Sequence, residues 1–159
     1  MERRKFMSLT GILAASIFAA PKALAESFTK INKPDSYWKK KLTEMQYYVL
    51  RKEGTERSFT SPLNNEKRKG TFVCAGCELP LFKSEYKYDS GTGWPSFYDY
   101  IKGHVETKLD FKLVYPRKEY HCARCGGHQG HVFKDGPKPT GLRYCNNGVA
   151  LKFIADEEA

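Results

Sequence analysis

Four of the five cysteines in this 159-residue chain occur as two CxxC pairs, a spacing that predicts a metal site. The first pair is Cys74 and Cys77, and the second is Cys122 and Cys125. Two residues between thiolates allow one tight turn to direct both sulfurs at a single ion, and two such turns supply the tetrahedral ligands that Zn²⁺ prefers. We therefore predict one structural zinc ion per chain, held by these four cysteines.

Other uses of a CxxC pair fit this sequence less well. Neither pair is followed by histidine, which excludes covalent attachment of a c-type haem, and no βαβ pattern surrounds either pair to support a thioredoxin-like dithiol. Two disulfide bonds remain an alternative if the protein is exported. Export of an already folded chain weakens that alternative, because zinc is then loaded while the thiols are still reduced.

The fifth cysteine, Cys145, is a candidate nucleophile. An odd number of cysteines argues against a purely structural disulfide framework. Cys145 lies at the end of a predicted strand, and Arg143 precedes it by two residues, which places both side chains on one face if the strand continues. A neighbouring cation stabilises the thiolate, the reactive form of cysteine.

Two histidines, His128 and His131, lie in a glycine-rich segment that allows close backbone approach. Imidazole donates and accepts protons near neutral pH, as a reaction that expels oxygen as water requires. A structural role, or a place with Cys125 in a metal site, is the alternative for this pair.

Trp94 and Phe97 lie in a loop of glycines and a proline, where two aromatic rings would form a wall for a small apolar group. A buried aromatic corner is an equally common use of such a loop. Spacing alone does not choose between the two.

Short elements must position these residues. Trp38, Leu42, Met45 and Val49 form one helical stripe that Gly54 would end, and Thr43 with Gln46 forms a capping box, so two short helices meeting near Leu42 are predicted. Candidate strands are Thr71–Val73, His104–Lys108, Lys112–Tyr115, Glu119–His121, His131–Lys134, Leu142–Tyr144 and Ala150–Ile154. The predicted fold is mainly β, with antiparallel sheets forming a barrel-like domain or a pair of sheets and the N-terminal helices packed outside.

The length allows one domain plus a targeting segment, and the composition excludes a disordered chain and a polytopic membrane protein. Residues 1–25 resemble a twin-arginine export signal: Arg3 and Arg4 precede an apolar run that is too short for a membrane span, and Ala23 and Ala25 provide a cleavage site. An uncleaved membrane anchor and a general secretory signal are the alternatives. We predict a flexible leader over 26–34, a catalytic domain over 35–155 and a tail over 156–159. The protein is expected to be periplasmic or extracytoplasmic, without stable membrane insertion after cleavage.

Taken together, the motifs resemble the B-type methionine sulfoxide reductases. The likeness runs from Tyr37 to Phe153 and rests on LTEMQYYVLRKEGTERSFTSPL, GTFVCAGCELPLF, YDSGTGWPSF, HCARCGGHQGHVFKDGPKPTGLRYCNN and VALKF. The resemblance implies a β "tent" of antiparallel sheets with zinc on four cysteines. It also implies reduction of the R epimer of methionine sulfoxide in proteins and peptides, a repair of oxidative damage.

The resemblance assigns roles by position. Cys145 would be the nucleophile and Trp94 would receive the methyl group of the sulfoxide. His128 and His131 would line the site, with His131 as a candidate acid. Asn147 would orient the substrate, and Arg143 would stabilise the thiolate or contact polar groups.

Attack of the thiolate on the sulfoxide sulfur would give methionine and a sulfenic acid on Cys145. Many relatives keep a resolving cysteine in the loop where this chain has Thr92. With four thiols committed to zinc, we expect a one-cysteine cycle completed by an external thiol reductant, of which thioredoxin-like proteins are the usual kind in this family.

Two other functions fit parts of the sequence. A non-catalytic zinc-ribbon binder would suit the formal net charge of +9 and the aromatic content, but export makes nucleic acid an unexpected partner. An exported thiol oxidoreductase would instead use the CxxC pairs for redox chemistry.

Overall fold

The structure is a computed structural model that describes residues 28–157. The predicted export signal and the last two residues of the predicted tail lie outside the described residues. The division into signal, leader, domain and tail therefore stays a prediction.

Two short helices begin the described chain: α1 (Asp35–Lys41) and α2 (Glu44–Lys52). The predicted capping box is present at α2, where the Thr43 hydroxyl accepts from the Gln46 N–H at 3.2 Å and the Gln46 side chain accepts from the Thr43 N–H at 3.1 Å. The chain is extended at Leu42, which rotates α2 relative to α1. Trp38 and Val49 are buried, but Met45 is 48% exposed, so the predicted stripe is wrong at that position. Neither helix, nor any other in the described part of the chain, is long and apolar enough to cross a membrane.

The strands of the described residues form two antiparallel sheets. They are β1 (Gly70–Cys74), β2 (Pro80–Lys83), β3 (Lys87–Tyr88), β4 (Ser96–Phe97), β5 (Val105–Asp110), β6 (Arg117–Cys122), β7 (His128–Phe133), β8 (Arg143–Asn146) and β9 (Leu151–Ala155). The small sheet has the order β2-β1-β9 and the large sheet the order β3-β4-β8-β7-β6-β5. Short 3-10 turns lie at Pro62–Asn65, Ser84–Tyr86 and Gly148–Ala150. The predicted mainly β, antiparallel architecture with short N-terminal helices is confirmed.

The predicted strand over 112–115 is wrong. These residues form the tip of the β5–β6 hairpin, where Leu113 and Val114 are exposed. The Lys112 N–H donates to the Asp110 carboxylate at 2.9 Å, and this turn reverses the chain before a further strand can form. The short strands β2, β3 and β4 were not among the predicted elements.

The core lies between the two sheets and is rich in aromatic rings. Phe82 of the small sheet stacks on Phe97 of the large sheet, with ring centroids 4.1 Å apart and planes at 11°. Phe72 meets Phe97 edge to face at 5.0 Å. Such pairs add about 0.5–1.5 kcal/mol to the free energy of burial. This packing fixes β4 and β8, the strands that carry the candidate site.

Candidate active site and metal site

Strand register brings Cys145 and His131 together. Cys145 of β8 lies opposite His131 of β7 and, on its other side, opposite Ser96 of β4. Residues directly opposite in an antiparallel pair project from the same face of the sheet. The thiol and the imidazole are therefore neighbours on one face.

These side chains open into a cleft of about 180 Å³. The lining residues are Thr55, Trp94, Arg117, Gly130, His131, Phe133, Cys145, Asn146 and Asn147. Four of the residues singled out in the sequence thus meet at one cavity. Arg143, His128 and Phe97 do not line it.

The Cys145 thiol is half-buried and sits in a mixed electrostatic environment. Burial raises the pKa of the Cys145 thiol, while the Arg143 charge and hydrogen bonds from Thr92 and Arg143 act in the opposite direction. The Arg143 guanidinium makes two hydrogen bonds of 2.9 Å to the Asp135 carboxylate and lies over the Phe133 ring, 4.3 Å from its centroid. The guanidinium of Arg143 is therefore held in place by Asp135 and Phe133.

His131 is oriented by a carboxylate that the sequence analysis missed. Its Nε2 lies 2.8 Å from Asp110 Oδ2, which also accepts from Arg117 at 2.9 Å. Burial lowers the pKa of His131, and the hydrogen bond to Asp110 opposes that shift. The pKa of Asp110 is well below its usual range, first because it accepts the Lys112 N–H and then because it bonds His131 and Arg117. With Nε2 engaged, Nδ1 is the ring nitrogen left for other partners.

His128 lies behind His131, with the two ring centroids 5.4 Å apart. Its Nδ1 is 2.7 Å from Glu119 Oε1, and both side chains are 2% exposed. Glu119 also bonds His121 at 3.0 Å. Burial alone would raise the pKa of Glu119, but the hydrogen bonds from His121 and His128 lower it to about 2. His128 Nε2 is buried and has no hydrogen-bond partner within residues 28–157.

Trp94 and Asn147 are both fixed by the backbone of Glu56. The indole Nε1–H of Trp94 donates to the Glu56 carbonyl at 3.1 Å, and the Glu56 N–H donates to Asn147 Oδ1 at 2.9 Å. The Asn147 amide also donates to the Gln129 carbonyl at 2.9 Å. Both predicted substrate contacts are thus held by the protein at the edge of the cleft.

Phe97 is a core residue rather than part of the cleft wall. Its side chain has no exposed surface, and its ring packs on Phe82 and Phe72. Successive residues of a strand point to opposite faces, so the face of β4 that places Ser96 beside Cys145 turns Phe97 into the core. The expectation that Phe97 lines the site with Trp94 is corrected accordingly.

The carboxylates of the site left only a weak signal in the sequence. Arg117, Glu119 and His121 alternate along β6 and therefore share a face. Asp110 lies opposite Arg117 because β5 and β6 form a hairpin. The strand predicted over 112–115 would have placed other residues between them, so this pairing was not expected. Glu56 lies in an irregular segment where no periodicity marks it.

Gly130 allows β7 and β8 to approach closely beside Cys145 and His131. A Cβ atom at this position would lie 1.8 Å from the Cys145 carbonyl oxygen. Only glycine fits that approach without a shift of backbone.

The two CxxC pairs converge on one point, as their spacing predicted. The four sulfurs lie within 4.8 Å of one another, with Cys74 and Cys125 sulfurs 3.7 Å apart and Cys77 and Cys122 sulfurs 3.5 Å apart. A tetrahedral site with Zn–S bonds of about 2.3 Å places its sulfurs roughly 3.8 Å apart, whereas a disulfide requires about 2.05 Å. The geometry fits a four-thiolate metal site with no open position.

Gln129 connects the four-cysteine cluster to β8, the strand that carries Cys145. Its fully buried side chain donates from Nε2 to the Cys74 sulfur at 3.5 Å and accepts at Oε1 from the Asn146 amide at 3.4 Å. A hydrogen bond to a ligand sulfur orients that ligand and tunes its affinity for metal.

Comparison with known proteins identifies the family. Residues 42–155 match the SelR domain family. The peptide methionine sulfoxide reductase MsrB of Leptospira interrogans is 54% identical over 125 residues, which cover 78% of this chain and 95% of that protein. The MsrB of Methanosarcina barkeri is 52% identical, and the aligned residues cover 80% of this chain and 91% of that protein. The chloroplastic peptide methionine sulfoxide reductase B1 of Arabidopsis thaliana is 53% identical over 78% of this chain and 62% of its own. Because the domain match covers most of the chain and about half of the aligned residues are shared, the chain belongs to the peptide methionine sulfoxide reductase B family.

Proposed function

We propose that this protein reduces the R epimer of methionine sulfoxide in proteins and peptides, with Cys145 as the nucleophile. The observation that carries the proposal is the pairing of Cys145 with His131 in a cleft that also contains the Trp94 indole. The names of the relatives supply the substrate class, methionine sulfoxide in peptides.

The first step transfers oxygen from substrate to enzyme. The Cys145 thiolate attacks the sulfoxide sulfur while a proton reaches the sulfoxide oxygen. The S–O bond of the substrate then breaks, the departing OH group bonds the Cys145 sulfur, and the bond between the two sulfurs breaks, so the products are methionine and a sulfenic acid on Cys145. The substrate sulfur is reduced and the Cys145 sulfur is oxidised by the same two electrons.

His131 is the proposed acid, acting through Nδ1 because Nε2 is held by Asp110. Burial lowers the pKa of His131, so its protonated ring is a stronger acid than free imidazolium. Arg143 favours the thiolate that forms as Cys145 loses its proton. Trp94 forms the wall for the methyl group, and Asn147 lines the same cleft and orients the substrate.

An external thiol completes the cycle. Two thiols convert the sulfenic acid back to a thiol, with formation of one disulfide and release of water. Thr92, whose side chain lowers the pKa of the Cys145 thiol, occupies the loop where many relatives keep a resolving cysteine, and the other four cysteines lie together in the four-cysteine cluster. A thioredoxin-like protein is the proposed physiological donor.

The four-cysteine cluster is proposed to hold structural zinc. Zinc bound there would tie the ends of β1 and β6 and leave the reaction to Cys145, since a four-thiolate site has no position for substrate. The sulfur separations support metal binding over two disulfide bonds or a CxxC redox dithiol. We also propose that the protein is exported, on the twin-arginine-like sequence of residues 1–25.

The decisive experiment measures turnover of each pure epimer of a methionine-sulfoxide peptide with dithiothreitol. The expected result is turnover of the R epimer alone, and its loss in Cys145→Ser. Equal turnover of both epimers would contradict the stereochemical proposal, and full activity of Cys145→Ser would contradict the nucleophile. An intramolecular disulfide found by mass spectrometry after turnover would refute the one-cysteine cycle.

A further inference from the structure

Glu56 bonds two side chains that line the cleft, although it makes no hydrogen bond to Cys145 or His131. It lies between α2 and the 3-10 turn at Pro62–Asn65, directly after the cleft residue Thr55. Glutamate is seldom fully buried in folded proteins, yet this residue is only 3% exposed. A buried glutamate needs partners for both carboxylate oxygens.

Both partners come from the segment that follows Asn147. The Gly148 N–H donates to Glu56 Oε1 at 2.5 Å, and the Val149 N–H donates to Oε2 at 3.0 Å. One backbone donor on each oxygen fixes the carboxylate in two directions. Gly148 is tightly packed, since a Cβ atom at this position would lie 1.9 Å from the Ser61 hydroxyl oxygen.

The backbone of the anchored residue then holds the two side chains that edge the cleft. Its N–H donates to Asn147 Oδ1 at 2.9 Å and its carbonyl accepts from the Trp94 indole at 3.1 Å. The distance between the indole and the Asn147 amide is therefore set through a single residue. The carboxylate is the anchor that keeps this residue in place.

We propose that Glu56 is a positioning residue that sets the width of the methyl-binding side of the cleft. The inference rests on the proposed reductase function and adds a determinant of specificity to it. A rigid gap between Trp94 and Asn147 accepts a methyl group and rejects a longer alkyl group. Loosening the anchor lets the indole move and weakens that discrimination.

The test compares kcat/KM for the R sulfoxides of methionine and ethionine in the same peptide, with saturating dithiothreitol. Glu56→Gln replaces one acceptor oxygen by an amide NH₂, which cannot accept from a backbone N–H. We expect a higher KM for the methyl sulfoxide and a loss of about fivefold in the methyl-over-ethyl preference, because one methylene in a pocket is worth roughly 10–200-fold. The change in kcat should be smaller, since Cys145 and His131 keep their contacts. Glu85→Gln, at an exposed glutamate paired with Lys83, is the matched control.

The two tryptophans provide a direct structural readout. The indole N–H of Trp94 bonds Glu56, whereas that of Trp38 bonds the Lys33 carbonyl at 3.2 Å. In Glu56→Gln the Trp94 indole resonance should shift and its hydrogen exchange should accelerate, while the Trp38 resonance stays in place. Trp94→Phe identifies the Trp94 resonance by its disappearance. Because this variant also lacks the indole that Glu56 holds, adding Glu56→Gln to it should not alter the methyl-over-ethyl preference further.

A folded Glu56→Gln variant with lower stability but unchanged preference and unchanged indole resonance would overturn the proposal and leave Glu56 purely structural. If Glu56→Gln does not fold, Glu56→Asp keeps the charge but shortens the reach, and the same two readouts should move in the same direction. Lack of any wild-type turnover would instead refute the proposed function. The two failures are thus distinguishable.

Discussion

Replacing Glu119 by glutamine should destabilise the protein in a pH-dependent way. Glu119 is 1% exposed and accepts hydrogen bonds from both His128 and His121. Burial alone would raise the pKa of its carboxyl, but these bonds lower it from 4.5 to about 2. One pKa unit corresponds to about 1.4 kcal/mol, so the ionised form contributes about 3 kcal/mol to the free energy of unfolding. Glu119→Gln keeps the shape and loses that contribution.

The sign of the pH dependence follows from the two shifts. A lowered carboxyl pKa gives stability that is present above 4.5 and is lost as the pH falls towards about 2. The hydrogen bond that His121 donates to Glu119 raises the pKa of His121 above 6.5, and that contribution is lost as the pH rises through the raised value. The difference between wild type and variant should therefore be largest near pH 5.5, about 3 kcal/mol, and smaller on both sides.

Urea denaturation at about pH 8, 5.5 and 3.5 measures this difference. Comparing the two proteins at each pH cancels the loss of any bound metal in acid, which both share. Between about pH 5.5 and 3.5 the difference should fall by roughly 1.4 kcal/mol. The exposed control Glu85→Gln should change stability by less than about 0.5 kcal/mol throughout. A difference for Glu119→Gln that does not vary with pH would refute the reasoning.

Three other substitutions test separate parts of the molecule. Trp94→Ala should lower kcat/KM for the methyl sulfoxide by roughly tenfold to a hundredfold in steady-state assays, since a methyl-sized contact is worth about 1–3 kcal/mol. An unchanged kcat/KM would show that the indole has a structural role and does not bind the methyl group. Gln129→Leu removes the donor to the Cys74 sulfur and should weaken zinc binding about tenfold in competition with a chelator; equal affinity would exclude that contact as a determinant. Phe97→Ala should lower the free energy of unfolding, measured by urea denaturation, by about 3–5 kcal/mol without changing the methyl-over-ethyl preference. A changed preference would show that Phe97 contributes to substrate binding.

The four-cysteine cluster could be predicted from the sequence because CxxC spacing is a local property. Each pair closes its own turn, and only the meeting of the two turns had to be inferred. The convergence of Cys145, His131 and Trp94 was expected from family resemblance. Spacing alone could not supply it, because it depends on the register of β4, β8 and β7.

The errors arose where long-range pairing decided the outcome. Phe97 was assigned to the cleft because it lies near Trp94 in sequence, but strand alternation sends it to the opposite face. Residues 112–115 have strand propensity, yet the Asp110 carboxylate closes a turn there instead. The carboxylates that orient the two histidines come from β5 and β6, which are brought to β7 only by the sheet.

The missing side chain at Gly130 limits how this protein can evolve. A single methyl group there would collide with the main chain of Cys145, so we expect β8 to shift and the distance between the Cys145 sulfur and the His131 imidazole to increase. Proton transfer declines steeply once its partners leave hydrogen-bonding range. Under the proposed mechanism, the activity of Cys145 thus depends in part on a position with no functional group, where we expect even alanine to lower turnover although every reactive atom remains in the chain.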